Sequence, residues 1–191
     1  MALIANAGLY HHAVFAGSVH LYHADFDLPI PENPDDTRGW MTDAVINITD
    51  HIIISDLNVC INVWHTNVFD LQVFVQSPAG TSLCLNMYNF DEFFIGADYI
   101  GTIFDDEARA PIEHGSAPFT GRFIPRLPGL SIFDGEDSFG AWRLRIYDAW
   151  YADTGSLNNV QLAITTPEPA AAVLLILGAA LASIRRPCPR R

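Results

Sequence analysis

Leu57-Asn58-Val59-Cys60-Ile61-Asn62-Val63-Trp64 alternates an aliphatic side chain with a different neighbour, without a break. Successive side chains of an extended chain point to opposite faces, so this stretch puts four aliphatics on one face and reads as a half-buried strand. Leu71, Val73 and Val75 repeat the pattern against Gln72, Phe74 and Gln76. Between the two runs, His65-Thr66-Asn67-Val68-Phe69-Asp70 has the length of a hairpin connection. Ser77-Pro78-Ala79-Gly80 is a turn, since proline fixes φ and glycine accepts a positive one. Leu83 and Leu85 open the next strand. Downstream, Trp142, Leu144 and Ile146 alternate with Arg143, Arg145 and Tyr147; Asp153-Thr154-Gly155-Ser156 turns, and Leu157 to Ile164 is a final strand. From Ile30 to Ile164 no amphipathic helical pattern lasts three turns. Short strands separated by turn signals predict an all-β, antiparallel sandwich or jelly roll.

The 191 residues suit one domain with an appendage, and half are apolar, enough for a proper core. Lysine is absent, so all ten basic residues are arginine. Four of them (Arg185, Arg186, Arg190 and Arg191) fall in the last seven positions. Before Pro167 six arginines face 21 acidic residues, a charge near −15. Such a body repels phosphate backbones, which argues against nucleic acid as a partner and makes divalent cations or basic partners its complement. Three cysteines (Cys60, Cys84 and Cys188) make neither a disulfide framework nor a C-x-x-C zinc site. Cys60 and Cys84 both fall on a polar strand face, as a bridge or as unpaired thiols.

The chain end differs from the rest. Pro167-Glu168-Pro169 precedes an uncharged apolar run from Ala170 to Ile184, and the terminal arginines follow. As a helix that run spans roughly 22 Å, short of the roughly 30 Å hydrocarbon core, and makes a marginal membrane anchor. Its arginines stay on the cytoplasmic side, which places the body outside the cytoplasm. Proline-glutamate-proline, a short apolar helix and an arginine cluster, in that order, resemble the PEP-CTERM sorting signal of Gram-negative bacteria. The resemblance implies Pro167, Glu168, Pro169, Arg185 and Arg186 as the signal, an exosortase-type enzyme as processing partner, and delivery to the cell envelope after transient anchoring. At the other end, residues 1–28 read as an N-terminal segment. Met1 to His23 is apolar but lacks a basic leader and is interrupted by His11, His12, His20 and His23. Either a degenerate signal ends near Ala24, or the start is truncated or misassigned.

Between these ends, residues 29–166 carry an ordered series of motifs: Ile30-Pro31-Glu32-Asn33; His65-Thr66 with Asp70-Leu71; and Ser77-Pro78-Ala79-Gly80-Thr81-Ser82. Phe104-Asp105-Asp106-Glu107-Ala108 and Ala117-Pro118-Phe119-Thr120-Gly121 follow, then Pro125 before Leu130-Ser131. Gly140-Ala141-Trp142-Arg143-Leu144, Asp148 and Asp153-Thr154-Gly155-Ser156-Leu157 complete the series. In order and spacing it resembles the P domain (P/Homo B domain) that follows the catalytic domain of subtilisin-like proprotein convertases. The resemblance implies an eight-stranded jelly-roll β-sandwich that packs on, stabilises and tunes a protease. The protease itself needs far more chain than precedes Ile30, and its Asp, His and Ser motifs do not occur here.

Three local patterns imitate catalytic machinery. Gly80-Thr81-Ser82 looks like a nucleophile motif, but Leu83-Cys84-Leu85 continues as strand and no base or oxyanion hole is marked. Asp153-Thr154-Gly155 looks like half of an aspartic-protease site, which needs two copies. His65 near Asp70 reads as a base with its orienter, or as a histidine bonded to a turn. Asp105, Asp106 and Glu107 in one turn, with Asp70, Asp148 and Asp153 at other strand ends, are candidate calcium ligands, since calcium takes six to eight oxygens from carboxylates and loops. Exposed Trp40, Trp64, Trp150 and Tyr151 offer a third reading, a carbohydrate- or polymer-binding platform if they assemble. The expectation is therefore a non-catalytic exported module that acts by binding or as structure, with an accessory role to a separate subtilisin-like protease as its rival.

Overall fold

Alternation along β4 (Asp56–His65) is carried into three dimensions without exception: Leu57, Val59, Ile61 and Val63 are buried, and the residues between them are not. The same holds for β5 (Leu71–Gln76) and β9 (Gly140–Asp148). The computed structural model describes residues 17–31, 38–87, 95–126 and 129–167. Among these the chain forms two sheets joined by short 3-10 turns. The first runs in the order β1 (Val19–Ile30), β10 (Gly155–Thr165), β4, β7 (Tyr99–Phe104) and β8 (Phe119–Phe123). The second runs β2 (Gly39–Trp40), β9, β5 and β6 (Ser82–Asn86). β3 (Ala44–Ile48) follows β2 along the same edge of β9.

The inner faces of both sheets supply one core, in which Trp142 and Phe133 lie 5.5 Å apart. Two polar groups are buried with partners already chosen, as a low-dielectric interior requires. The indole Nε1–H of Trp142 donates to the Ser138 carbonyl at 2.9 Å. The Tyr99 hydroxyl accepts a 2.7 Å bond from Asn86 Nδ2. Truncating Ile61 to alanine in such a site costs about 2–5 kcal/mol.

The all-β sandwich of the sequence reading stands, and three of its details change. First, β1 crosses the expected boundary between residues 28 and 29. Tyr22, Ala24, Phe26 and Leu28 pack against the core while His23, Asp25 and Asp27 face outward, so Val19–Ile30 is an edge strand paired with β10. Second, β4 and β5 form no hairpin. The chain leaves the first sheet at His65, turns through Val68–Asp70 and enters the second sheet at Leu71. Third, β7 and β8 pair in parallel, because residues 105–118 carry the chain back before β8 begins. The PEP-CTERM-like segment beyond Pro167 and the chain start lie outside the described residues.

Candidate functional site

The crossing between sheets gathers one of two carboxylate groups. His65 ends β4 and Asp148 ends β9, and both side chains are fully buried. His65 Nε2 lies 3.2 Å from Asp148 Oδ2. A carboxylate only accepts, so Nε2 carries the hydrogen. Nδ1 lies 3.2 Å from the Asn67 amide and 2.9 Å from its carbonyl, so the other nitrogen is engaged as well. The second Asp148 oxygen accepts the Trp150 amide at 3.1 Å. Asp70 closes the 3-10 turn and is bonded by Asn67 Nδ2 at 3.1 Å. Asp153 accepts the Thr66 hydroxyl at 2.6 Å, and that hydroxyl accepts the Thr154 amide.

Three carboxylates thus stand near one another with no arginine among their bonded partners. Burial, the negative charges of Asp153 and Asp148, and a hydrogen bond to Asp153 push the Asp70 carboxyl up to about 7, against the opposing pull of His65. Near neutrality Asp70 is therefore part protonated, with its proton directed at Asp153. Gly155 lets the strands close here: a Cβ would stand 2.7 Å from the His65 Cα and against the Trp64 carbonyl. Close packing, rather than a turn dihedral, explains the glycine of Asp153-Thr154-Gly155.

The other group, Asp105-Asp106-Glu107, is built on opposite terms. Asp105 Oδ1 accepts the Glu107 amide at 2.8 Å, and Oδ2 is paired with the Arg122 guanidinium. Burial pushes Asp105 up, but the bonds from Glu107 and Arg122 outweigh it and hold the carboxyl below its ordinary range. Glu107 is raised, first by its hydrogen bond to Asp105 and then by burial. Both Asp106 oxygens are taken by backbone amides, Leu130 at 2.8 Å and Ser131 at 2.9 Å, which start the Leu130–Phe133 turn. Gly129 leaves the room for that contact.

The six candidate calcium ligands are therefore not brought together. Asp70, Asp148 and Asp153 share the crossing, while Asp105, Asp106 and Glu107 sit in a separate turn whose carboxylates already bind their own chain. Among the described residues no group of three or more His, Cys, Asp or Glu side chains is placed to hold a metal ion. His65 partners Asp148 rather than Asp70, a pairing across 83 positions that sequence spacing does not reveal. Ser82 opens β6 as an exposed strand residue. Cys60 and Cys84 are free thiols on different sheets. The aromatic residues do not form one platform either, since Trp40 lies on the second sheet and Trp64 on the first. Trp40 instead packs with Phe74 and Tyr147, which the sequence reading had not grouped with it.

Across residues 54–164 the chain matches the proprotein convertase P-domain family. It belongs to that family. The match spans this P domain from the approach to β4 through Ile164, and so includes both carboxylate groups. No curated protein matches the P domain by sequence. Among solved structures it is similar to a serine protease of Aeromonas sobria, at 14% identity and a TM-score of 0.44, over 78% of this chain and 27% of that one. The same protease in complex with its chaperone matches at 15% identity and 0.44, over 80% and 28%. The P domain thus spans about a quarter of the length of those chains.

Proposed function

We propose that this chain is a non-catalytic P-domain module, exported to the cell envelope or extracellular matrix of a Gram-negative bacterium, where it acts by binding or as structure. Family membership across residues 54–164 carries the reading, because P domains accompany proteases without cutting. The environment of His65 supports it: the ring is fully buried with both nitrogens bonded within the chain, leaving none to face a substrate. Export rests on the PEP-CTERM resemblance of Pro167 to Arg191, with an exosortase-type enzyme cutting near Pro167 and the apolar helix anchoring the chain in the membrane beforehand. Purified full-length protein incubated with casein and with dibasic fluorogenic peptides should release nothing. Cleavage that survives purification and disappears in Ser82→Ala overturns the non-catalytic reading. In a host with an exosortase, intact mass should show a product ending near Pro167; recovery only of chains ending in Arg191 overturns the sorting reading.

The family favours a second reading, an accessory and stabilising domain of a subtilisin-like serine endopeptidase carried elsewhere. Adding the chain to such a protease from the same genome should then raise the protease's melting temperature. An unchanged melting curve at saturating chain leaves the envelope reading alone.

A further inference from the structure

We propose that the outer face of the second sheet binds an acidic polysaccharide, a polymer of uronic-acid sugars. This deepens the binding role proposed above by naming a ligand and a surface. Charge distribution points there first. Before Pro167 the chain holds 21 acidic residues and six arginines, yet three of those six, Arg38, Arg143 and Arg145, collect at this face and its edge. Among the described residues, no acidic side chain stands at an outward position on the strands of this sheet. Among the described residues Asp43 is the carboxylate paired with these arginines: Arg145 Nε donates to it at 3.0 Å, and Arg143 lies 3.7 Å away. Two guanidiniums share one carboxylate, which leaves the described part of this face with a net positive charge.

Aromatic rings supply the second half of the argument. Trp40 is 43% exposed, with Tyr147 at 5.0 Å and Phe74 at 5.9 Å. Arg145 lies 4.5 Å above the Trp40 ring, and Arg38 lies 4.7 Å above Tyr151. Register explains the grouping, since Trp40 and Gln72 both flank Tyr147, while Phe74 flanks Arg145. Outward side chains of one strand repeat about every 7 Å, so Tyr147, Arg145 and Arg143 form a ladder on the order of 14 Å long. A sugar ring presents an apolar C–H face that aromatic rings cover, and a uronate carboxylate fits the planar fork of arginine. An aromatic and arginine ladder with glutamines beside it matches a polymer repeating both features. The acidic remainder of the body does not forbid this, because at physiological salt charges beyond about 8 Å are largely screened.

The full chain should be run in native gels cast with polygalacturonate, with neutral dextran, or with poly-glutamate, at 0.15 M salt. Retardation by polygalacturonate, at least tenfold stronger than by either other polymer, is expected. Trp40→Ala, and separately Arg143→Gln with Arg145→Gln, should each weaken it at least tenfold, whereas Trp64→Ala on the opposite sheet should not. Melting curves of each variant identify loss of fold, and the Gln pair keeps the test open should Trp40→Ala unfold. No retardation by polygalacturonate, equal or stronger retardation by poly-glutamate, or full retention by the folded Gln pair overturns the proposal. Peptidase activity in a chain that still binds polygalacturonate through Trp40 would sink the non-catalytic reading and leave this one standing.

Discussion

The two carboxylate groups of this P domain solve the same problem in opposite ways. In the turn at Asp105–Glu107 negative charge is spent on donors: Arg122 takes one oxygen of Asp105, and backbone amides take both oxygens of Asp106. At the sheet crossing, Asp70, Asp148 and Asp153 press on one another, and the strain is relieved by a proton and by His65. Charge met by donors, as at Asp105 and Asp106, needs no proton. Charge met by a proton, as at Asp70, ties the joint to pH.

The largest effect should come from the buried pair. Asp148→Ala leaves the fully buried His65 Nε2–H without its acceptor and removes the bond to the Trp150 amide, so a loss of about 3–5 kcal/mol is expected in urea unfolding. A loss under about 1 kcal/mol would mean that the pair is not the tie between β4 and β9. Next, Asp106→Ala removes two charge-assisted bonds to the Leu130–Phe133 turn and should cost about 2 kcal/mol. The cost should be equal in calcium and in chelator. If calcium stabilises the wild type and that gain disappears in the variant, the turn is a metal site and the contrast between the groups fails.

The third test concerns pH. Asp70 binds its proton more tightly folded, at about 7, than an unfolded aspartate does at about 3.9. That contribution is complete below the unfolded value and is lost as pH rises through about 7. Stability should fall between pH 6 and 8 by on the order of 0.5–1 kcal/mol after solvent screening. Asp70→Asn, which needs no proton, should flatten the curve. A wild-type curve that rises across this range would reverse the assignment. Smallest of all, Arg122→Gln should cost about 0.5 kcal/mol, since the guanidinium is largely exposed and Asp105 keeps the Glu107 amide. A loss above about 2 kcal/mol would show that the arginine, rather than the backbone, holds that turn.

What the sequence disclosed follows from where burial is one-sided. Leu57, Val59, Ile61 and Val63 could be read because each has a polar or amphipathic neighbour facing out. Val19–Ile30 could not, because Val19 and Leu21 are apolar yet 60% and 62% exposed at a sheet edge, which blurs the alternation. The connection after His65 has hairpin length, and length alone does not say whether a chain returns to its own sheet or crosses to the other. Individual acidic residues were legible as candidates; their grouping was not. Asp70 and Asp153 meet only because β5 and β10 start at the same end of the sandwich, a fact of topology that no local pattern encodes. Trp40, Phe74 and Tyr147 were likewise visible singly and joined only by strand register.

Val19 lies opposite Thr165 in the register of β1 and β10, so the folded body takes in and releases its chain at one point on its rim. Mechanically that makes the module a pendant rather than a link. Force transmitted along the backbone would pull these two neighbouring ends apart and load the β1–β10 ladder one hydrogen bond at a time, as a zip opens from its end. Shear across all the rungs at once, which makes some sandwiches resistant to force, is not available in this geometry. Loaded this way, the body peels at its first strand before its core yields.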